Sequence, residues 1–97
     1  MYAHAEEADL YRLLLFVSGA TPRSMRAVAT VRKLCEQRLV GHYELKVVDV
    51  FREPLLARDY QIVALPTLLK LAPNPRRLFV GEMSDIAPLI AGLGLAA

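Results

Sequence analysis

The chain has 97 residues, 55% of them apolar and 23% charged, with 12 basic side chains against 10 acidic ones. That length holds one domain with one modest core, burying roughly 60–65% of the unfolded chain's surface, and leaves no room for a second. Disorder is excluded by the apolar content, and a membrane span by the shortness of the longest apolar runs, Leu13 to Val17 and Ile62 to Pro66.

Residues 1–10 read as a flexible acidic leader and 11–97 as a single domain. Glu6, Glu7 and Asp9 all stand in the leader, so from Tyr11 onward 12 basic residues face 7 acidic ones. Such a surplus suits an acidic partner surface. The cations are scattered and there is no tryptophan for base stacking, so nucleic acid is not an expected partner. The leader lacks a basic and then apolar signal segment, which makes the cytoplasm the expected location.

Tyr11 to Val17 is a short apolar run closed by Ser18-Gly19, the pattern of a buried strand. Thr21-Pro22 then opens a helix, with Thr21 as N-cap and Pro22 in the first turn, where its missing N–H costs nothing. From Ser24 to Val40 the apolar positions Val28, Val31, Leu34, Cys35 and Leu39 recur at helical steps. Arg26, Lys33 and Gln37 fall on the other side, and Gly41 closes the helix. Tyr43 to Val50 alternates as a strand, and Lys46 on it points to an edge position. Pro54 to Tyr60 makes a short helix, and Pro66 biases Leu65 to extended geometry. Thr67 to Ala72 and Arg76 to Val80 form a hairpin around Pro73-Asn74-Pro75, ended by Gly81. Ser84 begins a last apolar segment. The order βαβαββα, with a parallel pair and an antiparallel hairpin, is an α/β thioredoxin-like arrangement with a mixed sheet.

Oxidoreductases of that fold carry Cys-x-x-Cys at the start of the first helix, where the helix N-terminus stabilises a thiolate. Here the turn is Thr21-Pro22-Arg23-Ser24: the spacing persists, but two hydroxyls cannot form a disulfide. Pro66-Thr67 resembles the proline, usually cis, that faces the redox site. The lone Cys35 lies within the helix and reads as a buried inert thiol, with a thiol enzyme as the competing reading. His4 and His42 have no second ligand at metal-site spacing. Asp49 and Glu53 follow the second strand, Asp49 as a turn acceptor. No phosphate-binding glycine pattern occurs. The expectation is a non-enzyme without cofactor, metal or catalytic residue.

Three blocks carry a more specific likeness. They are Val17-Ser18-Gly19-Ala20-Thr21-Pro22-Arg23-Ser24 with Arg26, then Tyr43 to Val50 followed by Pro54, then Ile62-Val63-Ala64-Leu65-Pro66-Thr67-Leu68. Pro73, Pro75, Arg77, Gly81, Ser84 and Gly92-Leu93 follow in register. Over Leu13 to Leu95 the sequence resembles the KaiB family of small bacterial clock proteins. The resemblance implies two folds: a ground state, βαββααβ, that forms dimers or tetramers, and a thioredoxin-like monomer. The latter binds the N-terminal ATPase ring of KaiC, captures KaiA where it exists, and displaces a clock histidine kinase with a similar domain. It also implies partner contacts at Arg26, Lys46 and Arg77, and it leaves Thr21, Pro22, Ser24, Pro66, Gly81 and Gly92 as structural or fold-switch positions.

The tail itself can be read in two periods. Ile86, Leu89, Ile90 and Leu93 lie at helical steps. Leu89, Ala91, Leu93 and Leu95 alternate as in a strand, and each of Gly92 and Gly94 weakens a helix by about 1 kcal/mol relative to Ala. Two packings this close in energy suit a fold switch; the simpler reading is a helix capped at Gly92 with a frayed tail. Three features depart from the clock pattern: Pro88 inside the last segment, Gln61 where clock members tend to carry lysine, and a chain stopping at Ala97 without an acidic extension. A constitutively thioredoxin-like interaction domain in stress or kinase signalling is therefore the alternative function.

Overall fold

The structure, a computed structural model, describes residues 10–95. All of the expected leader except Leu10 lies outside the described residues. The elements are β1 (Tyr11–Val17), α1 (Pro22–Arg38), β2 (Tyr43–Asp49), α2 (Pro54–Asp59), β3 (Thr67–Ala72), β4 (Arg77–Val80) and α3 (Ala87–Gly92). They build one four-stranded sheet in the order β2-β1-β3-β4. β1 pairs in parallel with β2, Tyr11 opposite Tyr43 through Val17 opposite Asp49, and antiparallel with β3, Phe16 opposite Thr67. β4 pairs antiparallel with β3.

This order explains the composition of each strand. β1 has neighbours on both sides and cover on both faces, so Leu13 to Val17 can be apolar without interruption, and all five are buried. β2 is an edge, and its exposed residues are Glu44 and Lys46. The edge position expected for Lys46 is observed.

Two cores result. Leu13, Leu15 and Val17 of β1 and Leu68 of β3 pack against Ala27, Val31, Leu34, Cys35 and Leu39 of α1 and its end, with Leu89 and Leu93 from α3 and its cap. On the other face Leu14, Phe16, Val48 and Leu69 form a smaller core with Leu56, Ala57 and Tyr60 of α2 and its cap.

α1 starts as expected. Thr21 is the N-cap, in extended geometry, and its hydroxyl accepts from the Ser24 N–H at 3.3 Å. The helix ends at Arg38, two residues before Val40. Leu39, buried in the core, still donates its N–H to the Cys35 carbonyl, but its φ of −129° leaves the helical range, and Gly41 reverses the chain at φ +77°.

The tail adopts the helical one of its two periods. α3 begins at Ala87, three residues after Ser84; Asp85 Oδ1 accepts from the Ala87 N–H at 3.1 Å, and Pro88 sits in the first turn. Gly92 is not the cap that the sequence suggests. The left-handed residue is Gly94, φ +75°, and the Leu95 N–H returns to the Ile90 carbonyl. Gly92 lies inside the helix against Phe79, where a Cβ would run into ring atom Cε2. The glycine is there for close approach of α3 to β4. Tyr11, at the start of β1, donates its hydroxyl to the Leu93 carbonyl at 3.2 Å and carries the Lys70 ammonium 5.9 Å above its ring.

Candidate interaction surface

The turn between β1 and α1 occupies the place of a thioredoxin redox site. Ser24 is buried beneath it. Its hydroxyl accepts from the Thr21 hydroxyl at 2.8 Å and from the Ser18 N–H at 3.1 Å, and lies 3.3 Å from the Ser18 hydroxyl. A buried oxygen with these partners is satisfied and needs no ligand. Leu65–Pro66 is cis, and because Phe16 pairs with Thr67, Pro66 stands level with Val17 beside this turn. The geometry of the redox loop persists, with hydroxyls where sulfur chemistry would need thiols.

Cys35 is fully enclosed by the main core. Burial, aided by the neighbouring Glu36 carboxylate and opposed by Arg32, pushes its pKa up to about 11. It is a neutral thiol at physiological pH, the environment opposite to that of a nucleophile. His42 is exposed on the turn after α1. Among the described residues no three His, Cys, Asp or Glu come together in a group able to hold a metal ion. Asp49 acts as a turn acceptor, its Oδ1 taking the Phe51 N–H at 2.9 Å, and Glu53 pairs with Lys46 at 3.2 Å.

Arg26, Lys46 and Arg77 do not share one patch. Arg26 stands on the exposed face of α1, with Nε 3.6 Å from Glu82, just beyond β4. Arg77 is on β4, its guanidinium 5.6 Å above the Phe79 ring. Lys46 is on β2, the opposite edge of the sheet. Arg26 and Arg77 therefore belong to the β4 side, and a partner touching all three must span the sheet.

Sequence reasoning missed the apolar component of the surface. Phe51 is 76% exposed and Val63 96%, with Leu55 and Met25 also more than half exposed. Phe51 lies beside Gly19, and Met25 is on the first turn of α1, so two of them flank the hydroxyl turn. Their signal in the sequence is weak, since a single exposed apolar residue is ordinary.

Comparison with known proteins decides the family. The family model described as the KaiB domain matches residues 14–94. The chain belongs to the KaiB family. It is 46% identical over 85 residues to the circadian clock oscillator protein KaiB of Synechococcus sp. (strain RCC307), covering 88% of this chain and 77% of that protein. The same protein of Trichodesmium erythraeum is 45% identical over 85 residues, with 88% and 82% covered. Among solved structures, this KaiB-family chain resembles the N-terminal domain of Synechococcus elongatus SasA, with a TM-score of 0.69 and 28% identity over 87% of this chain and 78% of that one. The thioredoxin Deadhead of the fruit fly Drosophila melanogaster reaches a TM-score of 0.72 at 22% identity, covering 97% and 89%, a likeness of fold alone. The thioredoxin-like fold is thus shared by a KaiB-family sequence and a SasA domain.

Proposed function

We propose that this KaiB-family chain is a non-enzymatic clock adaptor whose thioredoxin-like state binds the N-terminal ATPase ring of a KaiC-type protein. The observation that carries this reading is the combination of a KaiB sequence over residues 14–94 with a fold close to the SasA N-terminal domain. A clock-related role follows from the kinship with circadian KaiB proteins. Arg26 and Arg77 on the β4 side, Lys46 at the other edge, and the exposed Phe51 and Val63 supply basic and apolar contacts for an acidic-rimmed ring surface. KaiA or a clock histidine kinase enters as a further partner, the kinase by competing with a similar domain. The absence of a nucleophilic thiol fits an adaptor, which needs only a surface.

Fold switching belongs to the same proposal. The thioredoxin-like form described above is the binding-competent state, and the two-period tail supplies the alternative packing with its dimer or tetramer. Thr21, Pro22 and Ser24 fix the invariant first half; Pro66, Gly81 and Gly92 border the part that rearranges. Co-elution of the full chain with a cognate KaiC-type ATPase after a day of incubation tests the reading. A complex weakened about ten-fold or more by Arg26→Glu supports it, and no complex overturns it.

The second reading, a constitutively thioredoxin-like interaction domain, is favoured by Pro88 in the first turn of α3, which stiffens the helix start. It predicts one set of amide NMR peaks without slow exchange, whereas the switch predicts two.

A further inference from the structure

The two edges of the sheet differ in chemistry. β2 carries Glu44 and Lys46, both tied into ion pairs, whereas β4 exposes Leu78 and Val80, at 52% and 61%. The ladder fixes where the β4 backbone points. Gly81 donates its N–H to the Pro66 carbonyl at 3.2 Å, and in an antiparallel pair the bonded residues alternate. Phe79 and Arg77, opposite Leu68 and Lys70, therefore bond to β3. The N–H and C=O groups of Leu78 and Val80 point out of the edge, and nothing among the described residues bonds to them. Leu78 and Val80 stand opposite Leu69 and Thr67, which puts both side chains on the α2 face of the sheet.

A hollow of about 320 Å³ opens on that face beside the edge, lined by Tyr60, Leu69, Arg76, Arg77 and Leu78. The Arg76 guanidinium lies 5.9 Å above the Tyr60 ring, and among the described residues no carboxylate pairs with Arg76 or Arg77. A guanidinium held against a ring keeps its N–H groups for a carboxylate. Exposed apolar side chains, an unused ladder and an unneutralised cation thus adjoin one another. We propose that the β4 edge takes an extended, acidic–apolar segment of a partner protein as an added antiparallel strand. Such a strand runs from Val80 towards Arg76, so its pattern is apolar-x-apolar followed by an acid. The apolar residues lie against Val80 and Leu78, and the acid reaches Arg76 across the hollow. Main-chain bonds to Leu78 and Val80 supply the affinity; Arg76, Tyr60 and Leu69 select the sequence. A basic segment is repelled. β4 itself holds no acid, so a second copy of the chain does not meet the requirement. The contact is separate from the ATPase-ring contact proposed above and does not depend on it.

Titration of the isotope-labelled full chain with the capped peptide Val-Thr-Val-Thr-Glu, followed by amide NMR, tests the pairing. Shifts centred on Leu78 and Val80 are expected, with slowed exchange of those two amides and none at Phe79, already bonded to β3. This readout uses the unaltered chain and so is independent of variant folding. The same peptide ending in lysine should bind about three- to ten-fold more weakly, and on Arg76→Glu the preference should invert. Val80→Pro removes an outward donor and no bond to β3, and should weaken both peptides. Sedimentation of the chain without peptide should show no pairing through β4. The proposal is overturned by no saturable binding at about 1 mM peptide, by shifts centred on β2, by indifference to the charge of the last peptide residue, or by a dimer that itself occupies the β4 edge.

Discussion

The hydroxyl of Thr21 lies 2.8 Å from that of Ser24 and donates to it, while the Ser24 N–H returns to the Thr21 oxygen at 3.3 Å. This reciprocal pair closes the first turn of α1 at the place where the oxidoreductases of this fold keep their thiols. It makes two side chains that could have been relics into parts of the helix cap. Thr21→Ala is expected to cost about 1 kcal/mol through the lost cap. Ser24→Ala costs about 1–3 kcal/mol, because the Ser18 N–H and the Thr21 hydroxyl lose their acceptor beneath the turn. Urea unfolding of the two single variants and the double checks this. The double should cost less than the sum, since the residues share one network.

Cys35 makes the core sensitive to alkali. Its pKa is raised from 9.0 to about 11, so the folded chain holds the proton more tightly than the unfolded one. The stabilisation is fully present below about pH 9 and is lost as pH rises towards 11, a span worth about 2–3 kcal/mol. Thermal melts of the chain and of Cys35→Ala should converge over that window and run parallel below it. In the same native chain, alkylation at neutral pH should wait for unfolding; rapid labelling would restore the thiol-enzyme reading.

Gly92 and Phe79 form a lock between α3 and β4. Gly92→Ala gains about 1 kcal/mol of helix propensity but forces the ring aside, an overpacking cost of about 1–3 kcal/mol. A net loss of about 1 kcal/mol is expected. In a Phe79→Leu background the smaller side chain yields, and the same change should become neutral or stabilising. Denaturant midpoints of the four-member cycle give the coupling, which should exceed about 0.5 kcal/mol.

The surface ion pairs should matter little to folding. Arg26 with Glu82 and Lys46 with Glu53 are all at least two-fifths exposed. Arg26→Ala and Lys46→Ala should each shift stability by less than about 0.5 kcal/mol. Urea curves that overlay the parent would leave any loss of partner binding attributable to the interface.

Much of this architecture is legible in the sequence because the signals are local. Thr21-Pro22 announces a helix start by capping chemistry alone, and the uninterrupted run from Leu13 to Val17 announces a strand covered on both faces. Lys46 marks an edge for the same kind of reason. What escaped is non-local. Gly92 looks like a terminator until Phe79, 13 positions earlier, is seen beneath it. The separation of Arg26 and Arg77 from Lys46 depends on strand order, and strand order is a property of the whole sheet.

The bond from the Tyr11 hydroxyl to the Leu93 carbonyl joins residues 82 positions apart. With no tryptophan in the chain, phenol emission is the intrinsic optical signal, and Tyr11 is one of only 4 tyrosines that supply it. A departure of α3 from the sheet would take the Leu93 carbonyl away from this phenol while β1 stayed in place. The first strand would then broadcast, as a change in fluorescence and near-ultraviolet absorption, an event confined to the last helix. Comparison of the chain with Tyr11→Phe would isolate that contribution. The molecule thus carries its own dye, wired from one end to the other.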